Sequence, residues 1–248
     1  MRKIAIINQK GGTGKTTTAV NLGSGLAREG YRTVLVDIDP QGSLATWFGS
    51  DYEHSLYDLL VEGEAPEECV VQVRENLYLL PSDKTAAQAE KILTGKTSRE
   101  TVLRRELSDL SGYDMVILDC PPSLSLLNQN ALIYAQSAYL PVSMDYLALV
   151  GIKNLLDNIR QINDILDHNI ELSLVIPTFY DKRTNASKEI YDTLKRHFDS
   201  KVARPIRTNV RLSESASYNK TIFEYAPNSH GAEDYSTLVE RVIENGKE

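Results

Sequence analysis

Lys10-Gly11-Gly12-Thr13-Gly14-Lys15-Thr16-Thr17 is the stretch on which the reading of the fold turns. Its glycines let successive backbone N–H groups converge on phosphate oxygens, where a side chain would clash or forbid the required φ. A helix starting at Lys15 adds the positive end of its dipole. At this spacing Lys15 reaches the β- and γ-phosphates of a nucleotide, and the Thr16 hydroxyl completes the shell of a Mg²⁺ ion. Gly11, Gly12, Thr13, Gly14 and Thr17 supply the rest of the cradle. One departure from the common phosphate-loop pattern stands out. Gln9 occupies the position, five residues before Gly14, where a glycine usually opens the motif, and Lys10 follows it.

The surroundings of the loop fit an α/β protein. An apolar run precedes it at residues 3–8, and further Ile-, Val- and Leu-rich runs at 33–37, 115–119, 138–142 and 172–177 read as buried strands. Between them, residues 15–28 place Ala19, Leu22, Leu26 and Ala27 at helical spacing and are closed by Gly30. The pattern recurs at 147–166 through Leu149, Ile152, Leu155, Leu156, Ile159, Ile162 and Leu166; 184–198 and 232–243 are further amphipathic candidates. Residues 77–80 suggest an extra strand, and 84–110 a charged, mostly helical stretch. Strand–helix alternation of this kind predicts a mostly parallel twisted sheet covered by helices on both faces. No linker or repeat divides the chain, so one domain over residues 1–248 is expected.

Two strand ends carry acids. VLVDIDPQG (34–42) places Asp37 and Asp39 at i, i+2, on one side of the chain at a strand's C-terminal end. That edge is where open α/β sheets bind ligands. Asp39 is placed to hold an attacking water or approach the metal, and Asp37 to cap the helix that starts near Gln41. VILDCPPS (116–123) is a second apolar strand ending in an acid, and Asp119 suits a Mg²⁺ contact made through water.

Composition narrows the setting. The chain has 248 residues, 27 Lys+Arg against 34 Asp+Glu, and a net charge of −7. Its 42% hydrophobic and 25% charged content excludes global disorder. No apolar run approaches the roughly 18–20 residues of a membrane span, and the opening MRKIAIINQKGG is too short in apolar residues for a secretory signal. Cys69 and Cys120 make no disulfide framework in a chain this long and suit a reducing, cytoplasmic setting. The charge is uneven: residues 182–220 hold ten Lys/Arg against four acids, inside an otherwise acidic chain. A basic segment can bind a polyanion locally whatever the net charge, although a solvated helix face gives the same pattern.

KGGTGKTTTAVNL (10–22), VDIDPQG (36–42), LDCPPSLSLLNQNAL (118–132) and NVRLSES (209–215) together resemble the ParA/Soj-type partitioning ATPases, the deviant Walker A class of the MinD/ParA superfamily, over nearly the whole chain. The resemblance implies a MinD-like P-loop fold and an ATP-dependent homodimer. In it Lys10 crosses to the partner's phosphates much as an arginine finger does, and Lys15 and Asp39 join it as catalytic residues. Thr16 matches the Mg²⁺ ligand. Phe179 and residues 205–209, with Pro205, Arg207 and Asn209, fall where the family wraps adenine. Arg183 and Arg211 match family arginines used on the DNA backbone, and Lys182, Lys188, Arg207 and Lys220 extend that patch. Non-specific DNA binding by the ATP dimer, release when a ParB-like partner stimulates hydrolysis, a nucleoid-associated location and a role in plasmid or chromosome segregation are implied in the same way. Relative to the family pattern, the 205–209 run is rearranged and Val150 replaces an acid. The absence of a long N-terminal extension implies no domain that reads DNA sequence.

One other reading fits the residues equally well, and the rest fit them less well. A relative that positions a protein cargo such as carboxysomes or chemoreceptor arrays shares the chemistry and the DNA surface, and only its adaptor differs. A MinD-like membrane oscillator needs a basic, strongly apolar C-terminal helix. Residues 235–248 instead carry Glu240, Glu244 and Glu248 against Arg241 and Lys247, with one short stripe of Leu238, Val239, Val242 and Ile243, so no membrane partner is expected. An electron carrier of the nitrogenase iron-protein kind needs cluster-ligating cysteines, and a bacterial tyrosine kinase needs clustered tyrosines; the 13 here are scattered. A nucleotide-binding module without activity is disfavoured by the joint presence of Lys10, Lys15, Thr16, Asp39 and Asp119.

Overall fold

A computed structural model describes residues 1–123, 125–145, 148–166 and 168–246, without the side chains of residues 148–150. The expected helix start at Leu147, the side chains of Leu149 and Val150, and the tail residues Lys247 and Glu248 lie outside these residues. Seven strands form one sheet: β1 Arg2–Ile6, β2 Thr33–Asp37, β3 Val71–Arg74, β4 Leu77–Leu80, β5 Met115–Asp119, β6 Ser137–Ser143 and β7 Glu171–Thr178. Their order is β3-β4-β2-β5-β1-β6-β7. Every pairing is parallel except the edge hairpin of β3 and β4.

Period-two alternation along the strands builds two cores. In β1, Ile4 and Ile6 face one side and Ala5 the other; in β5, Met115 and Ile117 oppose Val116 and Leu118. One side is covered by α1 Lys15–Arg28, α2 Ser43–Phe48, α8 Val210–Ser217, α9 Ile222–Tyr225 and α10 His230–Glu244. The other carries α3 Ala86–Thr94, α4 Val102–Glu106, α5 Leu126–Tyr134, α6 Ala148–Leu166 and α7 Asn185–Phe198. Cys69 and Cys120 are buried free thiols in this second core. Among the described residues no helix is long and apolar enough to cross a membrane.

α1 runs from the phosphate loop into the first core, and its neighbours fix where the loop sits. It lies close enough to α10 that a methyl group on Gly25 would occupy the space of the Val239 side chain. The hydroxyls of Thr18 and Tyr235 bind each other across the same contact at 3.2 Å. The Asn21 side chain donates to Thr17 O at 2.8 Å and accepts from the Ile222 amide at 2.8 Å, which ties α1 to α9. The glycine-rich loop therefore leads into a helix that is anchored against the sheet, α9 and α10.

Candidate functional site

Parallel register brings two of the strand-end acids together. Asp37 pairs with Asp119 across β2 and β5, and Ile6 pairs with Asp119 across β1 and β5. The three central strands thus end side by side at the loop 10–14, at the C-terminal edge where such sheets bind ligands.

The loop is shaped by its own polar contacts. The Asn8 side chain accepts from the Lys10 amide at 2.9 Å and donates to Pro141 O at 2.7 Å. The Thr178 hydroxyl donates to Thr13 O at 2.9 Å. Gly14 precedes α1 in the left-handed region with φ +85°, which a residue with a side chain rarely adopts. α1 has no side-chain cap and no acid in its first turn. The amides of Lys15, Thr16 and Thr17 find no acceptor among the described residues, and the first hydrogen bond of the helix runs from Thr18 N to Gly14 O. A helix start with open amides and no competing carboxylate is the arrangement that receives a phosphate.

Charged groups surround that start. Lys15 is 8% exposed and its Nζ donates to Lys10 O at 3.2 Å. Burial pulls its pKa down, while Asp119, Cys120 and Asp39 act in the opposite sense. Asp119 is buried, and neither of its carboxylate oxygens has a hydrogen-bond partner of good geometry among the described residues. Desolvation is the main cause of a pKa pushed up to about 7, partly offset by the Thr16 hydroxyl and Lys15. A buried carboxylate with two vacant acceptors beside a threonine hydroxyl fits a hydrated Mg²⁺ ion on the phosphates. Asp37 is also buried. It accepts from Leu44 N at 3.0 Å in the first turn of α2, as expected for a cap, and from Asp39 N at 3.0 Å. Burial and the nearby Asp119 raise its pKa well above the usual carboxylate range. Asp39 is half-buried; its Oδ1 accepts from Gln41 N at 2.9 Å, which fixes the turn and leaves Oδ2 outside that bond.

This electrostatic arrangement makes a stability prediction. A folded-state pKa above the unfolded value means that the folded chain holds its proton more tightly, so the stability from Asp119 is full below about pH 4 and is lost as pH rises through about 7. Asp119→Asn is therefore expected to raise the nucleotide-free Tm by several degrees at pH 8 and by little at pH 5, and to weaken Mg²⁺-dependent nucleotide binding. Differential scanning fluorimetry at the two pH values checks it; an equal shift at both would remove the buried charge as the cause.

A cleft of about 210 Å³ adjoins the loop, lined by Gly14, Thr17, Thr178, Phe179, residues 206–210 and Tyr235, among others. Phe179 stands half-exposed with φ +55°, a strained backbone of the sort retained at ligand sites. Asn209 caps α8 by accepting from Arg211 N. Pro205 is half-buried just ahead of the lining segment.

The cations of the 182–220 segment fall into different environments. Lys182, Lys188 and Lys220 are exposed and have no ion-pair partner among the described residues. Arg183 pairs with Asp181 at 2.7 Å and Arg211 with Glu214 at 2.8 Å, both at the surface, where such pairs are weak and exchange readily for phosphate. Arg207 departs from its expected place in the DNA patch. Its guanidinium is bound by buried Asp234 and by Glu233, both at 2.6 Å, and offers no free charge. Backbone bonds between Tyr180 and residues 206 and 208 set the loop carrying Lys182 and Arg183 beside the start of α8, whereas Lys220 lies beyond the far end of α8, against Trp47.

Lys10 also forms an ion pair within the chain, with Asp145 just after β6; the Ser143 hydroxyl donates to the same carboxylate at 2.6 Å. Asp145, Thr178, Asp234 and Tyr235 were not singled out from the sequence. Asp145 carried the signal used for Asp39, an acid two residues past the end of a buried strand.

Comparison with known proteins agrees with this geometry. A family model described as an AAA domain matches residues 1–172. The sporulation initiation inhibitor protein Soj of Bacillus subtilis is 43% identical over 98% of both chains. The chromosome-partitioning ATPase Soj of Thermus thermophilus is 43% identical over 98% of this chain and 96% of its own. Among solved structures, a cobyrinic acid a,c-diamide synthase of Mycobacterium smegmatis with a bound ATP analog and magnesium superimposes with a TM-score of 0.86 at 32% identity, covering 100% of this chain and 96% of that one.

Proposed function

The chain belongs to the Soj/ParA family of P-loop ATPases, and from that premise we propose that it is a DNA-riding partition ATPase. In this reading residues 1–248 form one cytoplasmic, nucleoid-associated ATPase domain. It binds ATP with Mg²⁺, closes face to face with a second copy, holds DNA without sequence preference in that state, and lets go when a partner protein triggers hydrolysis. The observation that carries the reading is the start of α1: open amides at residues 15–17, buried Lys15 beside them, and an Asp119 carboxylate with vacant acceptors among the described residues. Those groups fit a triphosphate and its metal and leave little else for the site to hold.

When bound, ATP and Mg²⁺ supply the phosphoryl chemistry, and the chain's own groups do the rest. Loop amides and Lys15 fix the phosphates, Thr16 and Asp119 hold the metal and its water shell, and Asp39 orients the attacking water. Phe179 and residues 206–209 enclose the base. Lys10 reaches the nucleotide of the second copy, and dimerisation doubles the number of basic loops offered to one duplex. Each cation that meets a phosphate releases counterions, so binding of this kind weakens steeply with salt.

The first experiment measures binding to a duplex of arbitrary sequence with ADP, ATP or a slowly hydrolysed ATP analogue, at two salt concentrations. Salt-sensitive binding in the ATP states alone supports the reading. Absence of binding in every state would leave an ATPase whose 182–220 segment is only a solvated face. With binding established, the pair Arg183→Glu and Arg211→Glu is expected to weaken it at least tenfold at moderate salt, since each dimer exchanges four phosphate-seeking charges for four repelling ones, while ATP-dependent dimer mass is kept. Undiminished affinity would move the DNA surface elsewhere.

A further inference from the structure

One wall of the base cleft is a segment without regular secondary structure, residues 205–209, and its position depends on contacts from both sides. On the sheet side, Ile206 N donates to Pro177 O at 2.8 Å, Tyr180 N to Ile206 O at 3.1 Å and Thr208 N to Tyr180 O at 3.0 Å. These bonds lay the segment along the end of β7 for three residues. On the other side, Asp234 of α10 takes up the remaining amide of the run: Arg207 N donates to its Oδ2 at 2.8 Å. The same carboxylate receives the Arg207 guanidinium through Nε at 3.0 Å and Nη2 at 2.6 Å.

The local structure does not otherwise require Asp234. α10 is capped by Ser229, whose side chain accepts from Ala232 N, so the acid is not needed to start the helix. Its side chain is only 1% exposed, and a buried carboxylate is costly unless paired and hydrogen-bonded. What the pair provides is geometry. A fork-on-fork contact plus a backbone amide fixes both where Arg207 sits and how its peptide plane is turned. The neighbouring residue, Tyr235, lines the same cleft and reaches Thr18 of α1. The helix turn that carries Asp234 therefore spans from the phosphate-loop helix to the base-binding wall.

We propose that Asp234 is a positioning residue for base recognition, holding residues 206–209 at the distance from Phe179 that a purine ring needs. The inference rests on the ATP reading of this cleft. It also assigns the Arg207 guanidinium to shaping the cleft rather than to binding phosphate.

The test compares ATP with inorganic tripolyphosphate, which has the phosphates and no base, by calorimetry on the native chain, Asp234→Asn, Asp234→Ala, and Asp234→Ala combined with Arg207→Ala. Asp234→Ala is expected to weaken ATP about tenfold or more while tripolyphosphate affinity stays within about twofold. KM for ATP should rise with kcat at saturation nearly unchanged. Asp234→Asn, which keeps an acceptor for the Arg207 amide, should fall between native and alanine; if the alanine chain does not fold, the asparagine chain carries the same comparison. The double variant should lose no more than Asp234→Ala alone, because the two residues act as one unit. Unchanged ATP affinity in both Asp234 variants overturns the inference, as does an equal loss for ATP and tripolyphosphate. A native chain that binds tripolyphosphate as well as ATP would instead sink the reading of the cleft itself.

Discussion

Asp39→Ala is expected to lower ATP turnover by about 10²–10⁴-fold, the range in which removal of a group that orients or activates the nucleophile falls. Its role follows from its place in the turn after β2. The Asp39 amide is tied to Asp37, its Oδ1 to Gln41 N, and only the second oxygen is left for a water. Asp39→Asn keeps an acceptor for Gln41 N and so preserves the turn, but it removes the charge that polarises the water. Both variants should therefore lose turnover, while only alanine also loosens the loop. Neither side chain contributes to the open amides of α1, so ATP affinity should hold within a few-fold. In the proposed cycle, an ATP state that does not hydrolyse stays dimeric and keeps its DNA. Phosphate release under single-turnover conditions and duplex retention after an ATP pulse give the two readouts. Turnover within a few-fold of native in both variants would remove Asp39 from the chemistry.

How much of the fold and the site was legible in the sequence depended on whether a feature is local in the chain. The five apolar runs became strands because a buried parallel strand needs a near-continuous apolar stretch rich in Val, Ile and Leu, and residues 34–36 and 115–118 show it without interruption. The helix over 15–28 was legible for the same kind of reason, since its apolar spacing and the closing glycine are contained in one window. β3 was missed: VQVR is an edge strand of four residues with mixed burial, paired among the described residues with its own hairpin neighbour alone. α5 and α8 were missed because each takes its meaning from what covers it. Asn128 and Asn130 of α5 are buried polar residues that bind loop backbone, a pattern that sequence periodicity reads as a surface. The phosphate loop and the strand-end acids belong to the local class. The partners that complete them belong to the other. Asp145 meets Lys10 from 135 residues away and Asp234 meets Arg207 from 27, and no spacing rule links a cation to a carboxylate across such distances. The expected adenine-side and DNA-side roles of Arg207 came from its position in a motif, whereas the direction of its guanidinium is set by α10.

Lys10→Ala is expected to leave ATP binding within a few-fold of native and to abolish the ATP-dependent dimer, with DNA binding lost as a consequence. The lysine's main chain is built into the loop: its amide binds Asn8 Oδ1 and its carbonyl receives Lys15 Nζ. The side chain alone is available to move, and alanine leaves those backbone contacts in place. In the isolated chain Nζ lies against Asp145, with the two side chains 37% and 45% exposed. A pair at that exposure is worth roughly 0–1 kcal/mol, little enough for the lysine to exchange one carboxylate for the denser negative charge of a triphosphate on a second copy. Removing it should leave two triphosphates facing each other across the closed dimer without the cation each would receive from the other copy, a less balanced like-charge contact in a site that excludes water. A loss of at least about thirtyfold in dimer affinity is expected, given the roughly 2–5 kcal/mol that truncating one partner of a buried charge pair typically costs. Light scattering on size-exclusion fractions with the slowly hydrolysed analogue reads it directly. Pairing the change with Asp39→Ala sharpens the result. Asp39→Ala alone should accumulate DNA-bound dimer, and the double variant should remain monomeric and off DNA while still holding ATP. An undiminished dimer in Lys10→Ala would confine this lysine to its own chain and make the Asp145 contact its resting place in every state.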